Sequence, residues 1–139
     1  MENNGAPSRP FWPNIRAWWN VRHVSNVKLL HFNDLKADLA SAIEDVAAFL
    51  DVQLQPEKRS AILHHCSFEF MKSHAADMAP RGGASLKGGA ETFINKGSNG
   101  RWKDVLSPEE SMAYEARALK ELGSHCAAWL KGGATGISP

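Results

Sequence analysis

Val27–Phe32 reads VKLLHF, with Ser25-Asn26 before it and Asn33-Asp34 after it. Val27, Leu29, Leu30 and Phe32 crowd into a short run bounded by turn formers, and this pattern predicts a strand. Apolar residues at successive positions are how a strand covered on both faces reads. No other stretch makes as clear a case. A lone strand has no ladder partners for its backbone donors and acceptors. Either weaker strands escape the pattern, or the rest of a sheet is absent. The plainer alternative is that VKLLHF is a piece of core helix or loop.

Working outward, helices dominate. Phe11, Ile15, Trp18, Trp19 and Arg22 recur at the spacing of one helix face. Pro10 and Pro13 suit only a first turn. Met1–Arg9 is polar, without period, and reads as a loose lead-in. After the strand, Asn33 or Asp34 can cap a helix whose apolar stripe is Leu35, Leu39, Ile43, Val46, Ala47 and Leu50. Lys36, Asp38, Glu44 and Asp45 form its polar face. Pro56 starts a helix to about His65, and Ser67–His74 forms a short one. Ala75–Ala90 holds Pro80, Gly82, Gly83, Gly88 and Gly89 and reads as a mobile surface loop, a candidate lid. Ser107-Pro108-Glu109-Glu110 supplies a cap, a first-position proline and an acidic first turn. That helix runs to Leu122, Gly123 ends it, a last helix spans about Ser124–Lys131, and Gly132–Pro139 is a frayed, flexible tail.

Composition narrows the function classes. The chain has 139 residues, which predicts one domain burying roughly 65–70% of its unfolded surface. Hydrophobic residues at 43% and charged residues at 22% describe a globular chain. A net charge of +1 argues against nucleic acid or another extended polyanion as partner, while leaving room for a local phosphate site. The cysteines, Cys66 and Cys126, are too few for a disulfide scaffold and fit a reducing compartment, the cytoplasm. No apolar run approaches the ~20 residues that span a bilayer. Met1–Arg9 has no apolar signal core, so no membrane role or export is expected.

Three groups of residues could carry chemistry. Asn95-Lys96-Gly97-Ser98-Asn99-Gly100-Arg101-Trp102-Lys103 is the first. Its glycines let the backbone come close to a ligand, successive N–H groups can form an anion nest, and Lys96 adds a full charge. A phosphate is the natural guest, although most such loops are only turns. In Cys66-Ser67-Phe68, a hydroxyl beside an aromatic ring could hydrogen-bond and stack a purine, or simply cap a helix ahead of a core phenylalanine. His64, His65 and His74 near Cys66, and His125 beside Cys126, lack the spacing of metal ligands, so no metal is expected. Trp18 and Trp19 read as packing, and Trp102 as the wall of a pocket.

Taken in order, these pieces resemble the C-terminal half of the sulfotransferase family that uses 3′-phosphoadenosine 5′-phosphosulfate. The match begins with Ile15-Arg16-Ala17-Trp18-Trp19 and the strand leading into His31-Phe32-Asn33-Asp34-Leu35-Lys36. It continues through Ile43–Leu50, Ser67-Phe68 and Met71-Lys72. The most specific piece is Phe93–Lys103, similar to the family's F-x-R-K-G-x-x-G-x-W-K segment. Tyr114 and Cys126-Ala127-Ala128-Trp129-Leu130 resemble the close of bacterial members. The resemblance covers about Phe11–Leu130. It implies an α/β fold with a P-loop-like parallel sheet, of which this chain is the C-terminal part, mostly helical with one clear strand. It makes residues 10–131 half of a sulfotransferase domain. It implies that Lys96 and Gly97 hold the 3′-phosphate, with Ser98 nearby. Cys66 and Phe68 border the adenine, Phe68 by stacking, and Phe32 stands where many members place a tyrosine. Trp102 supports the Gly100 turn. The phosphosulfate nucleotide is then a co-substrate, with a small-molecule hydroxyl or amine as acceptor.

The departures are equally specific. Asn95 stands where the family usually has arginine, so a bidentate phosphate partner is lost. The family's dimer segment K-x-x-x-T-V-x-x-x-E becomes Lys103…Ser107-Pro108…Met112, which does not support that mode of dimerisation. The family's 5′-phosphosulfate loop and catalytic histidine precede the matched region. The resemblance therefore assigns no catalytic residue here. It implies a chain that does not turn over alone and works with the missing N-terminal half. The alternatives are a nucleotide-binding or interaction module without catalysis, and a purely structural helical protein.

Overall fold

The computed structural model describes residues 10–136. The lead-in Met1–Arg9 and the end of the expected tail, 137–139, lie outside the described residues. In chain order the helices are α1 (Phe11–Asn20), α2 (Phe32–Ala37), α3 (Leu39–Phe49), α4 (Pro56–His65), α5 (Phe68–Ser73), α6 (Ala75–Met78), α7 (Gly89–Phe93) and α8 (Pro108–Gly132). Short 3₁₀ turns cover Pro80–Gly83, Arg101–Asp104 and Gly133–Gly136. None of the described helices is long and apolar enough to cross a membrane. The chain divides into two compact units. The first comprises the described residues of Met1–Ala37 and Arg101–Pro139, and the second is Asp38–Gly100.

The expected strand is not formed: no residue from 10 to 136 belongs to a strand. Val27–His31 still keeps the two-residue period of a strand. Val27, Leu29 and His31 are half-buried, while Lys28, Leu30 and Phe32 are exposed, Leu30 by 49% and Phe32 by 46%. One side is therefore packed and the other bare, rather than both covered. The physical reason is the one raised by the sequence: among the described residues no second strand stands beside it to build a ladder. Phe32 itself opens α2 instead of ending a strand.

In the first unit, α1 turns a different face inward from the one its spacing suggested. Trp12 is the buried residue, 4% exposed, with Ile15 and Trp19 half-buried beside it, whereas Phe11 and Trp18 face out. Trp12 lies 5.5 Å from the Tyr114 ring and Trp19 lies 5.4 Å from Trp129, centroid to centroid. Ser107 and Glu110 form the capping box that starts α8. Gly123, at φ 75 and ψ 167, breaks α8 into two arms where the sequence placed a stop. Lys131 and Glu115 pair at 2.8 Å between those arms. Cys126, on the second arm, is the most deeply buried side chain, and burial pushes its thiol up while Arg22 acts weakly the other way. Residues 133–136, expected as part of a flexible tail, form a 3₁₀ turn whose Ala134 N–H donates to both carboxylate oxygens of Asp34 at 3.0 Å.

In the second unit, the helix expected to run without a break into Leu50 begins afresh at Leu39. Asp38 leaves helical space at φ −149 and caps α3, accepting from the Ser41 N–H at 3.0 Å and the Ser41 hydroxyl at 2.7 Å. Ala75–Ala90 is not an open loop. It folds as α6, a 3₁₀ turn and the start of α7, with Ala75, Ala79 and Gly83 buried. At Gly83 (φ +80) an added β-carbon would run into the backbone of Ala90, so only glycine fits this crossing.

Candidate functional site

The second unit gathers most of the candidate nucleotide residues. Cys66 caps the end of α4 and is exposed. Ser67 caps the start of α5 by accepting from the Phe70 N–H at 3.1 Å. The Ser67 oxygen thus serves as a helix cap, as its position suggested. Phe68, the first residue of α5, is half-buried, and the loop at Lys96-Gly97 comes to its ring. Gly97 has φ +58, and a β-carbon there would lie 2.6 to 2.9 Å from Cδ2, Cε2 and Cγ of Phe68. Any other residue at 97 would be both strained and in collision with the ring. Gly97 brings its loop and the Phe68 ring into contact, which spacing alone could not settle. Lys96 and Ser98 on either side are exposed.

Lys72 completes this group, and its side chain was not singled out from the sequence. Its ammonium donates to the Asn95 carbonyl at 2.9 Å and sits 5.8 Å from the centroid of the Phe68 ring. The usable signal was the four-residue spacing of Phe68 and Lys72, which puts both on one helix face. Among the described residues neither Lys72 nor Lys96 forms an ion pair. Chemically the group offers one aromatic ring, two ammonium groups and a tight glycine turn, which suits a phosphorylated aromatic ligand. Phe32, the other residue expected near the adenine, belongs to the first unit.

Two other features bear on function. His65 and His74 lie 4.3 and 4.0 Å from the Phe70 ring and His64 lies 5.0 Å from it, a packed aromatic cluster. Among the described residues no group of His, Cys, Asp or Glu is arranged to hold a metal. In the first unit a cavity of about 490 Å³ is walled by Trp102, Leu106, Tyr114, Ala118, Ala127 and Leu130 among others. Trp102 thus does wall a pocket, a mainly apolar one. Burial there pushes the Tyr114 phenol up. Also unread from the sequence is the clasp around His31. Its Nδ1 accepts from the Asn33 N–H at 3.1 Å, which leaves Nε2 to donate to the Leu130 carbonyl at 3.1 Å.

Comparison with known proteins identifies the family. Residues 3–124 match the family model described as "Sulfotransferase domain". The chain is 26% identical over 121 residues to a glycolipid sulfotransferase of Mycobacterium bovis, covering 87% of this chain and 37% of that protein. It is 28% identical over 110 residues to sulfotransferase 2A6 of Rattus norvegicus, covering 79% of this chain and 39% of the relative. The chain therefore spans well under half the length of these relatives. Among solved structures, mouse sulfotransferase SULT7A1, complexed with PAP, superposes with a TM-score of 0.71 at 19% identity, over 91% of this chain and 46% of that one. With 122 consecutive positions, 3 to 124, matched to the family model, the chain belongs to the sulfotransferase family.

Proposed function

We propose that this chain supplies the adenine and 3′-phosphate side of a 3′-phosphoadenosine 5′-phosphosulfate site. The observation that supports this most is the contact of Gly97 with Phe68, which puts a stacking ring next to a lysine-bearing glycine turn. Lys96 and the Gly97 turn would hold the 3′-phosphate with Ser98 nearby, and Phe68 and Cys66 would border the base. Asn95, uncharged, would contribute less to the phosphate than an arginine does.

In the reaction proposed for the assembled site, the sulfur–oxygen bond to the 5′-phosphate breaks as a bond forms between sulfur and the acceptor's oxygen or nitrogen. The acceptor's proton passes to a base, and adenosine 3′,5′-bisphosphate leaves. The base and the loop that stabilises the sulfuryl charge would come from polypeptide beyond the residues matched here, as would the parallel sheet. Alone, the chain would bind nucleotide and not transfer sulfate. Bare apolar side chains support this division of labour, Leu30 and Phe32 among them. The cytoplasm is the proposed compartment, since exposed Cys66 stays a thiol there.

Incubating the purified chain with sulfate-labelled cofactor and a phenolic or amine acceptor should yield no labelled product. Sustained turnover by the lone chain would overturn the proposed division.

A further inference from the structure

We infer that Lys72 is the second cation of the phosphate site, acting on the bound nucleotide directly rather than only bracing the loop. This inference rests on the nucleotide reading above. A phosphate monoester carries roughly −1.5 to −2 charges at pH 7, and Lys96 alone offsets one of them. A second cation is needed within reach, and Asn95 offers none. Lys72 meets the requirement by position. It lies one turn after Phe68 on α5, so the ring and the ammonium project from the same face. The ring meets Gly97, and the ammonium meets the carbonyl of Asn95, the residue immediately before Lys96. That single hydrogen bond uses one of three N–H donors on an exposed side chain. The remaining donors are available to an anion held at Lys96 and Gly97. No carboxylate competes, since among the described residues neither lysine forms an ion pair.

A bracing role and a charge role make different predictions. If Lys72 meets the 3′-phosphate, its loss weakens a ligand that carries that phosphate and spares one that lacks it. Equilibrium dialysis of the full chain tests this with adenosine 3′,5′-bisphosphate and adenosine 5′-monophosphate. Lys72→Met should weaken the bisphosphate about ten-fold, about 1.4 kcal/mol, and the monophosphate less than about two-fold. Lys72→Arg should stay near wild type, and Asn95→Arg added to Lys72→Met should restore most of the loss by returning a positive charge next to Lys96. Equal weakening of both ligands, or no weakening, would overturn the inference while leaving the nucleotide site standing. Failure of the wild-type chain to bind the bisphosphate would overturn the nucleotide reading and this inference together. Far-UV circular dichroism of each variant separates lost binding from lost fold, and Lys72→Arg provides the folded control.

Discussion

Gly97 rests against the ring of Phe68, leaving no room for a β-carbon: one would stand 2.6 Å from Cδ2. The two residues are 29 positions apart in sequence, and their contact closes the candidate nucleotide site. Gly97→Ala should therefore do two things at once. It adds left-handed strain of about 1–2 kcal/mol, lowering the thermal midpoint, and it pushes the loop off the ring, removing nucleotide binding. Thermal unfolding with and without adenosine 3′,5′-bisphosphate checks both. An alanine variant with unchanged midpoint and unchanged ligand-induced shift would mean the contact is incidental.

Gly133 holds a comparable position in the first unit. It has φ +76, and a β-carbon there would collide with Asp34 Oδ1 and approach His31 Nδ1 to 2.8 Å. Gly133→Ala should release the clasp in which Asp34 accepts from Ala134 N–H, at a cost of about 1–3 kcal/mol. Hydrogen exchange at the Ala134 amide should accelerate before global unfolding does. Unchanged protection there would show that the turn is held by other contacts.

Acid should weaken the second unit through Asp38. The Ser41 N–H, then the Ser41 hydroxyl, hold this carboxyl below its ordinary value of 3.8. A carboxyl whose folded value is depressed contributes stability above its unfolded value and loses it as pH falls through the folded one. The contribution of Asp38 is therefore present above about pH 3.8 and fades below it. Chemical denaturation from pH 6 down to pH 2.5 should show a smaller fall for Asp38→Asn than for wild type. Parallel curves would remove Asp38 from the account.

Self-association should follow the bare side of Val27–His31. Leu30 is 49% exposed beside Phe32 at 46%, on a segment with strand-like alternation and, among the described residues, no strand alongside it. Leu30→Asp should increase the monomeric fraction in light scattering while shifting stability by less than about 0.5 kcal/mol, as surface changes usually do. Association unaffected by this change would place the sticky surface elsewhere, for instance at Val105, which is 81% exposed.

What could be read in the sequence divides along physical lines. Local chemistry was legible: the Ser107 cap, the Gly123 break and the Ser67 cap each depend on residues within a turn of one another. Partners distant in sequence were not. Nothing local marks Trp12 rather than Trp18 as the buried ring of α1, because the choice is made by Tyr114 more than 100 residues on. The glycine-rich stretch through Gly83 read as open loop because its glycines serve a close backbone crossing that composition cannot reveal. VKLLHF was read as a strand from a sound local pattern, and a ladder needs partners that local pattern does not supply. At the site, Lys96, Gly97, Ser98, Cys66 and Phe68 were named from the sequence. Lys72 needed the structure, since its link is to a backbone carbonyl 23 residues away.

The central claim is that this chain binds the bisphosphate end of the nucleotide. Isothermal titration of the wild-type chain and Lys96→Ala with adenosine 3′,5′-bisphosphate tests it most directly. The account predicts saturable one-site heat for the wild type and affinity at least about ten-fold weaker for Lys96→Ala, the loss of one charge-assisted contact. No saturable heat with the wild type, or equal affinity in the two proteins, would contradict it.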